Sequence, residues 1–204
     1  VTTGVFFHPE FRNRDWPIIG DKFRSFPGVI ERAVPEGRVH FYESRPATDR
    51  ELLKVHTNAY LADVQRAWYF TGAACAVGGC IDAAALIARG ELTNALAFSV
   101  GAGHHSGPSE GWGGTYLSCS GPVIAHIRDT FGERRFAILD TDAHHGDGDR
   151  AVFGDDTDVL HVCFCTYNGE SGAGTNVDVD VGYRSSDEAY LSLVESQFLP
   201  RVRA

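Results

Sequence analysis

Three aspartates and two histidines crowd into Asp140-Thr141-Asp142-Ala143-His144-His145-Gly146-Asp147-Gly148, directly after the apolar run Phe136 to Leu139. That run reads as a short buried strand, and in an open α/β sheet ligands bind just beyond the carboxyl ends of the strands. Asp140, Asp142 and His144 alternate, so an extended backbone turns them to one side. A carboxylate and an imidazole so placed, Asp142 with His144, suit a divalent cation such as zinc. His145-Gly146-Asp147-Gly148 reads as a tight turn with glycines at the bends. Such a loop alone could equally be a solvated turn. A second histidine pair changes the balance: Gly101-Ala102-Gly103-His104-His105-Ser106-Gly107 follows another apolar run, Ala95 to Val100. Two strand ends, each carrying vicinal histidines in a glycine-rich loop, are hard to explain by packing.

Amide hydrolysis needs residues of these types. A water must be activated, a carbonyl polarised and a leaving amine protonated. A metal with an open position supplies the first two. A histidine that titrates near neutrality serves as base and then acid, and a carboxylate behind it sets its tautomer and raises its basicity.

Together these motifs resemble the histone deacetylase family of the arginase/deacetylase superfamily. The family pattern is a G-H-H loop, a G-x-x-Y-L segment and D-x-D-x-H-H-G-D-G; this chain has G-H-H at 103–105, G-G-T-Y-L at 113–117 and D-T-D-A-H-H-G-D-G at 140–148. Weaker likeness runs upstream to His56-Thr57-Asn58-Ala59-Tyr60-Leu61 and downstream to about Val181. The resemblance implies that Asp142 and His144 bind zinc, that His104 and His105 act on the water and the leaving amine, and that Asp140 and Asp147 are their carboxylate partners. It further implies a potassium ion held by main-chain carbonyls of the D-x-D-x-H motif and the following strand plus a hydroxyl, which places Asp140, Asp142, His144, Cys163 and Phe164 around it with Cys163 where the family has serine, and a second ion at the carbonyls of Phe153, Asp156 and Val159. Gly114 stands where a phenylalanine lines the family's acyl-lysine tunnel, with Trp112 two residues away as a partial substitute. The implied substrate is an acetylated lysine side chain or an acetylated polyamine.

The family's third zinc ligand and its oxyanion-stabilising tyrosine have no counterpart in this sequence. Asp178 and Asp180 match a strand position that is not a ligand in the family. Two other readings stand beside the deacetylase: a non-catalytic fragment or scaffold of the same fold, and a manganese ureohydrolase. The latter favours D-A-H-x-D, whereas residue 146 here is glycine.

The elements that must position these residues alternate between strand and helix, which implies an α/β domain with a largely parallel sheet flanked by helices. Strands are expected at 4–8, 38–43, 94–100, 135–140, 158–164 and 176–181. Arg12, Arg14, Trp16 and Pro17 fall in a loop. Thr48 and Glu51 form a capping box before a helix from Asp49 to His56. Further helices are expected over Tyr60 to Trp68, Gly72 to Arg89, Tyr116 to Thr130 and Ser186 to Leu199, with a glycine-rich loop at 169–174. Gly78-Gly79 in mid-helix costs about 1 kcal/mol each relative to alanine, which implies close contact with a neighbour. Cys163 and Cys165 read as core residues of a strand rather than as metal ligands.

The chain has 204 residues, enough for one domain with a real core. Its net charge of −9 argues against direct nucleic-acid binding and is compatible with a cationic substrate. No membrane-spanning run or signal segment is expected. Five cysteines in apolar or small-residue settings suit reduced thiols in the cytoplasm, or in the nucleus of a eukaryote. The chain opens at Val1, contains no methionine and closes at Ala204 directly after an amphipathic segment, so it reads as the amino-terminal portion of a deacetylase-like domain.

Overall fold

Short apolar runs separated by small-residue and polar segments give parallel strands joined through helices. The computed structural model describes residues 2–13, 15, 16, 19–35 and 37–203; Arg14 and Pro17 of the first loop lie outside them. The amino-terminal half contains β1 (Thr3–Phe7), α1 (Ile19–Lys22), α2 (Gly28–Ala33), β2 (Val39–Glu43), α3 (Asp49–Leu52), α4 (Asn58–Val64), α5 (Phe70–Ala88), β3 (Asn94–Ala97) and β4 (Gly101–Ala102). There follow β5 (Thr115–Leu117), α6 (Ser120–Phe131), β6 (Phe136–Asp140), α7 (Asp147–Phe153), β7 (Val159–Cys165), β8 (Gly169–Ser171), β9 (Asn176–Asp180), α8 (Asp187–Leu193) and α9 (Leu199–Arg203).

Strand β1 lies between β2 and β3, and both pairings are parallel. Strands β4 and β5 form a parallel pair. The last sheet runs β6-β7-β9-β8, parallel except for the edge strand β8. The period-2 alternation of side chains gives this sheet two unlike faces. Val162, Phe164, Val177 and Val179 form a buried cluster against Tyr190, Leu193, Val194 and Phe198 of the carboxyl-terminal helical segment. Cys163, Cys165 and Asp178 alternate with those residues.

Helix α5 is the core element of the amino-terminal half. It is apolar on nearly all sides, as a helix surrounded by protein must be, with Ala73, Ala76, Val77 and Ile81 almost fully buried. With 19 residues and a mean hydropathy of 1.7 over its best window, it is long and apolar enough to cross a membrane by length and composition. That corrects the expectation that no run reaches this length; here 61% of the window is buried inside the protein. The two mid-helix glycines have the expected cause. A Cβ on Gly78 would collide with the carbonyl oxygen of Arg45, and one on Gly79 with the Ser44 hydroxyl.

Several boundaries differ from the sequence reading for local reasons. The capping box at Thr48 and Glu51 forms, but α3 ends at Leu52 because the next turn tightens into i→i−3 bonds at Lys54 and Val55. Thr57 caps α4, which therefore starts at Asn58 and ends at Val64. Tyr116 and Leu117 belong to β5, paired with β4, so α6 starts only at Ser120; Gly132, at φ 76°, ends it. The expected turn at 145–148 gives way to α7 at Asp147. Part of the glycine-rich loop at 169–174 is β8. The last helix is broken by a wide turn at Val194–Phe198. Strand β6 is an edge strand of its sheet, so its residues before Asp140 are only partly buried or exposed, not buried as expected.

Replacing Gly78 with alanine should lower the unfolding free energy by about 1–3 kcal/mol, because the opposing atoms are backbone and cannot swing aside. Urea denaturation measures it. A variant as stable as the wild type would contradict the close packing of α5 on the 44–47 segment.

Candidate active site

The histidine-bearing loops lie where parallel strands end. The Gly103-His104-His105 loop leaves β4, and the Asp142-to-Gly146 loop leaves β6. The first loop is tied on all sides: Gly103 N–H donates to Leu117 O at 2.9 Å, and Asp149 N–H donates to His104 O at 3.0 Å. His105 N–H donates to Thr115 Oγ1 at 3.2 Å. Buried His56 clamps its far end. Its Nε2 accepts from Ser118 N–H at 3.0 Å, so its Nδ1–H donates to Gly107 O, also at 3.0 Å. That is one defined neutral tautomer, and burial lowers the pKa of His56 in the same direction.

The structure brings His104, His105, Asp140 and Asp147 together as two dyads. His104 Nδ1 lies 2.7 Å from Asp140 Oδ2, and His105 Nδ1 lies 2.6 Å from Asp147 Oδ1. The two imidazole centroids are 4.1 Å apart. The dyads differ in setting. The side chain of Asp140 is 8% exposed and that of Asp147 46%. Burial opposes ionisation of Asp140, but the hydrogen bonds from His104 and from Asp142 N–H outweigh it and hold the carboxyl well below the usual range. The same bond from Asp140 raises the pKa of His104 against the opposing effect of its own burial. Asp147 is also lowered: its partial burial is outweighed by bonds from His105 and Trp112.

Asp142 and His144 meet next to the dyads, with His144 Nδ1 2.8 Å from Asp142 Oδ1. The backbone here is not extended. Asp142 N–H donates to Asp140 Oδ1 at 3.1 Å and His144 N–H to Asp142 Oδ1 at 2.8 Å, two successive side-chain turns. As a result Asp140 faces inward while Asp142 and His144 are 53% and 73% exposed, contrary to the expected single side. A carboxylate oxygen and an Nδ1 converging on one point are of the right type for zinc. Among the described residues no third His, Cys, Asp or Glu donor forms a cluster with this pair.

The other expected positions fit less well. Cys163 Sγ lies 3.8 Å from Asp140 Oδ2 and 3.9 Å from His144 O, so a sulfur stands where a potassium site needs a hard oxygen. The ring of Phe164 is buried on the opposite face of the sheet, which leaves only its main-chain carbonyl for the role the resemblance implies. The donors around Cys163 also include the buried His161 and the carboxylate of Asp140. Gly114 has φ 83° and nothing within 4 Å of a Cβ built on it, so no wall stands there. Trp112 does more than replace a wall: its indole N–H donates to Asp147 Oδ2 at 2.7 Å, and its ring packs on His105 at 3.9 Å.

Three further residues support the site without having been expected in it. A Cβ on Gly146 would collide with Asp140 Oδ2, so only glycine lets the loop pass over the dyad. Asp149 is buried, accepts from the Ser120 hydroxyl and has a raised pKa through desolvation. His161 is fully buried, its Nε2 3.8 Å from Asp140 Oδ2, and neither ring nitrogen has a hydrogen-bond partner among the described residues. Of these three, only the Gly in H-H-G-D-G carried a sequence signal.

Two carboxylate-held imidazoles thus stand beside an acid–imidazole pair at the carboxyl ends of parallel strands of an α/β fold. Residues 68–204 match the histone deacetylase domain, and the chain belongs to that family. It is similar to a probable deacetylase of Archaeoglobus fulgidus, 27% identical over 99% of this chain and 65% of the relative. It is also similar to a histone deacetylase-like amidohydrolase of Pseudomonas aeruginosa, 27% identical over 87% of this chain and 54% of the relative. The chain thus spans about half to two-thirds of the length of these relatives. The crystal structure of the HDA15 HD domain shares the fold, with a TM-score of 0.80 and 23% identity over 98% of this chain and 68% of that one.

The raised pKa of His104 makes the His104–Asp140 pair pH-dependent. The stabilisation it gives is full below the unfolded imidazole value of about 6.5 and is lost as pH rises through the higher folded value. In the presence of a chelator, the stability difference between wild type and His104→Asn should therefore be largest near about pH 6 and shrink toward about pH 9. Urea denaturation across that range tests this; a difference that grew with pH would contradict it.

Proposed function

We propose that this protein is a zinc-dependent deacetylase that hydrolyses the amide of an acetylated lysine side chain or an acetylated polyamine. The observation that carries the reading is the pair of His–carboxylate dyads at 2.7 and 2.6 Å beside Asp142 and His144. Asp142 Oδ1 and His144 Nδ1 would hold the zinc ion, which when bound polarises the amide carbonyl and acidifies a water.

The chain's own groups move the protons. With Nδ1–H donated to Asp147, His105 keeps its Nε2 lone pair free to take a proton from water. Trp112 fixes the second oxygen of Asp147, so the ring cannot turn. His104, with its pKa raised by Asp140, holds a proton on Nε2 for the leaving amine. The open position at Gly114 leaves room for acyl groups larger than acetyl. The net charge of −9 suits cationic substrates, and five free thiols suit the cytoplasm. A manganese ureohydrolase is disfavoured, because a carboxylate at 146 would first require a Cβ where Asp140 already sits.

The test is acetate release by the full-length, zinc-loaded protein from an N-acetyl-lysine peptide and from an N-acetylated polyamine. His105→Ala should lower turnover by about 10²–10⁴-fold while the protein stays folded by circular dichroism. No acetate from either substrate, or equal rates in wild type and variant, would overturn the reading.

A further inference from the structure

The sheet face behind the dyads carries a second set of donors that the deacetylase chemistry does not use. Cys163 and Cys165 are two residues apart on β7, so both thiols leave the same face. The β7–β9 register sets Cys163 opposite Asp178. His145, next to His144 in sequence, reaches the same point from the loop after β6. One donor atom from each of His145, Cys163, Cys165 and Asp178 lies within 4.8 Å of the other three.

The spacing is close to that of a coordination shell, with the His145–Asp178 separation slightly short of it. Bonds of about 2.0–2.3 Å to a tetrahedral zinc place neighbouring ligand atoms roughly 3.3–3.8 Å apart. Here Cys165 Sγ is 3.7 Å from His145 Nδ1 and 3.8 Å from Asp178 Oδ1, and His145 Nδ1 is 3.1 Å from Asp178 Oδ1. We propose that His145, Cys163, Cys165 and Asp178 form a second, thiolate-bearing site for a zinc-class divalent cation. It is closed and four-coordinate, and so structural in type.

The surroundings match the charge of such a site. Two thiolates and one carboxylate around a divalent ion leave one net negative charge. Arg150 Nη2 donates to Asp178 Oδ1 at 2.8 Å, and its buried Nη1 has no hydrogen-bond partner among the described residues. Gly146 N–H points at Cys163 Sγ at 3.4 Å, a donor toward the charged sulfur. Binding converts two thiols to thiolates and releases two protons to solvent, with no change of oxidation state. The thiols are buried, whereas the side chains of His145 and Asp178 are 25% and 21% exposed, which leaves entry from the loop side. A cation there would pin the loop that carries His144 and leads into Asp147.

This site shares no residue with the Asp142–His144 pair, which contains no sulfur, so the two can be read separately. The full-length protein, reduced and stripped of metal, is titrated anaerobically with Co²⁺. The site predicts a thiolate-to-cobalt charge-transfer band and intense tetrahedral d–d bands that saturate at one equivalent and bleach on adding Zn²⁺. These persist in His144→Ala and weaken strongly in Cys165→Ser and in Cys163→Ser; either serine variant that melts like the wild type decides the point. Absence of a thiolate band at saturation, or a band untouched by both serine substitutions, would overturn the proposal and leave a plain His145–Asp178–Arg150 ion pair over two core thiols. Neither result bears on acetate release, which tests the other site.

Discussion

The buried carboxylate of Asp140 is the constraint on which the site depends. It sits at the end of β6, nearly out of contact with water, and must be ionised to be useful. Desolvation opposes that by several kcal/mol unless hydrogen bonds compensate. His104 Nδ1 and Asp142 N–H supply them at 2.7 and 3.1 Å. Each partner thereby gains a fixed place: His104 in the loop after β4, Asp142 at the start of the loop after β6. Gly146 is the steric condition for this arrangement, since any side chain would strike the carboxylate. One buried charge thus joins two loops that are 36 residues apart in the chain.

The two dyads are alike in connectivity and unlike in environment. Asp140 is dry and Asp147 is half exposed, so the two imidazoles feel carboxylates of different strength. The rigidity behind His105 is of another kind. It comes from a stacked indole and an exposed hydrogen bond rather than from burial. Helix α7 contributes by starting at Asp147, where a carboxylate is favoured by the helix dipole.

Much of this was legible in the residue order. The G-H-H and D-x-D-x-H-H-G-D-G loops announced the family, and strand–helix alternation announced the parallel sheet. The glycine pair at 78–79 announced close packing. The misreadings share a cause: local pattern cannot report tertiary partners. Tyr116 and Leu117 look helical until β4 pairs with them. The alternation of Asp140, Asp142 and His144 predicts one face until two side-chain turns fold the loop. Cys163 and Cys165 look like core, and they are buried, but their neighbours His145 and Asp178 come from a loop and a strand that sequence spacing does not place beside them. His161 and Asp149 carry no motif at all, and their position beside Asp140 follows only from the folded chain.

The most direct measurement of this account is the protonation pattern of the two imidazoles, read by long-range ¹H–¹⁵N correlation on histidine-labelled, metal-free protein at alkaline pH. Both His104 and His105 should carry their proton on Nδ1, with Nε2 bare, because each Nδ1 faces a carboxylate. A proton resting on Nε2 of either ring would mean that its dyad does not exist in solution, and would contradict the account.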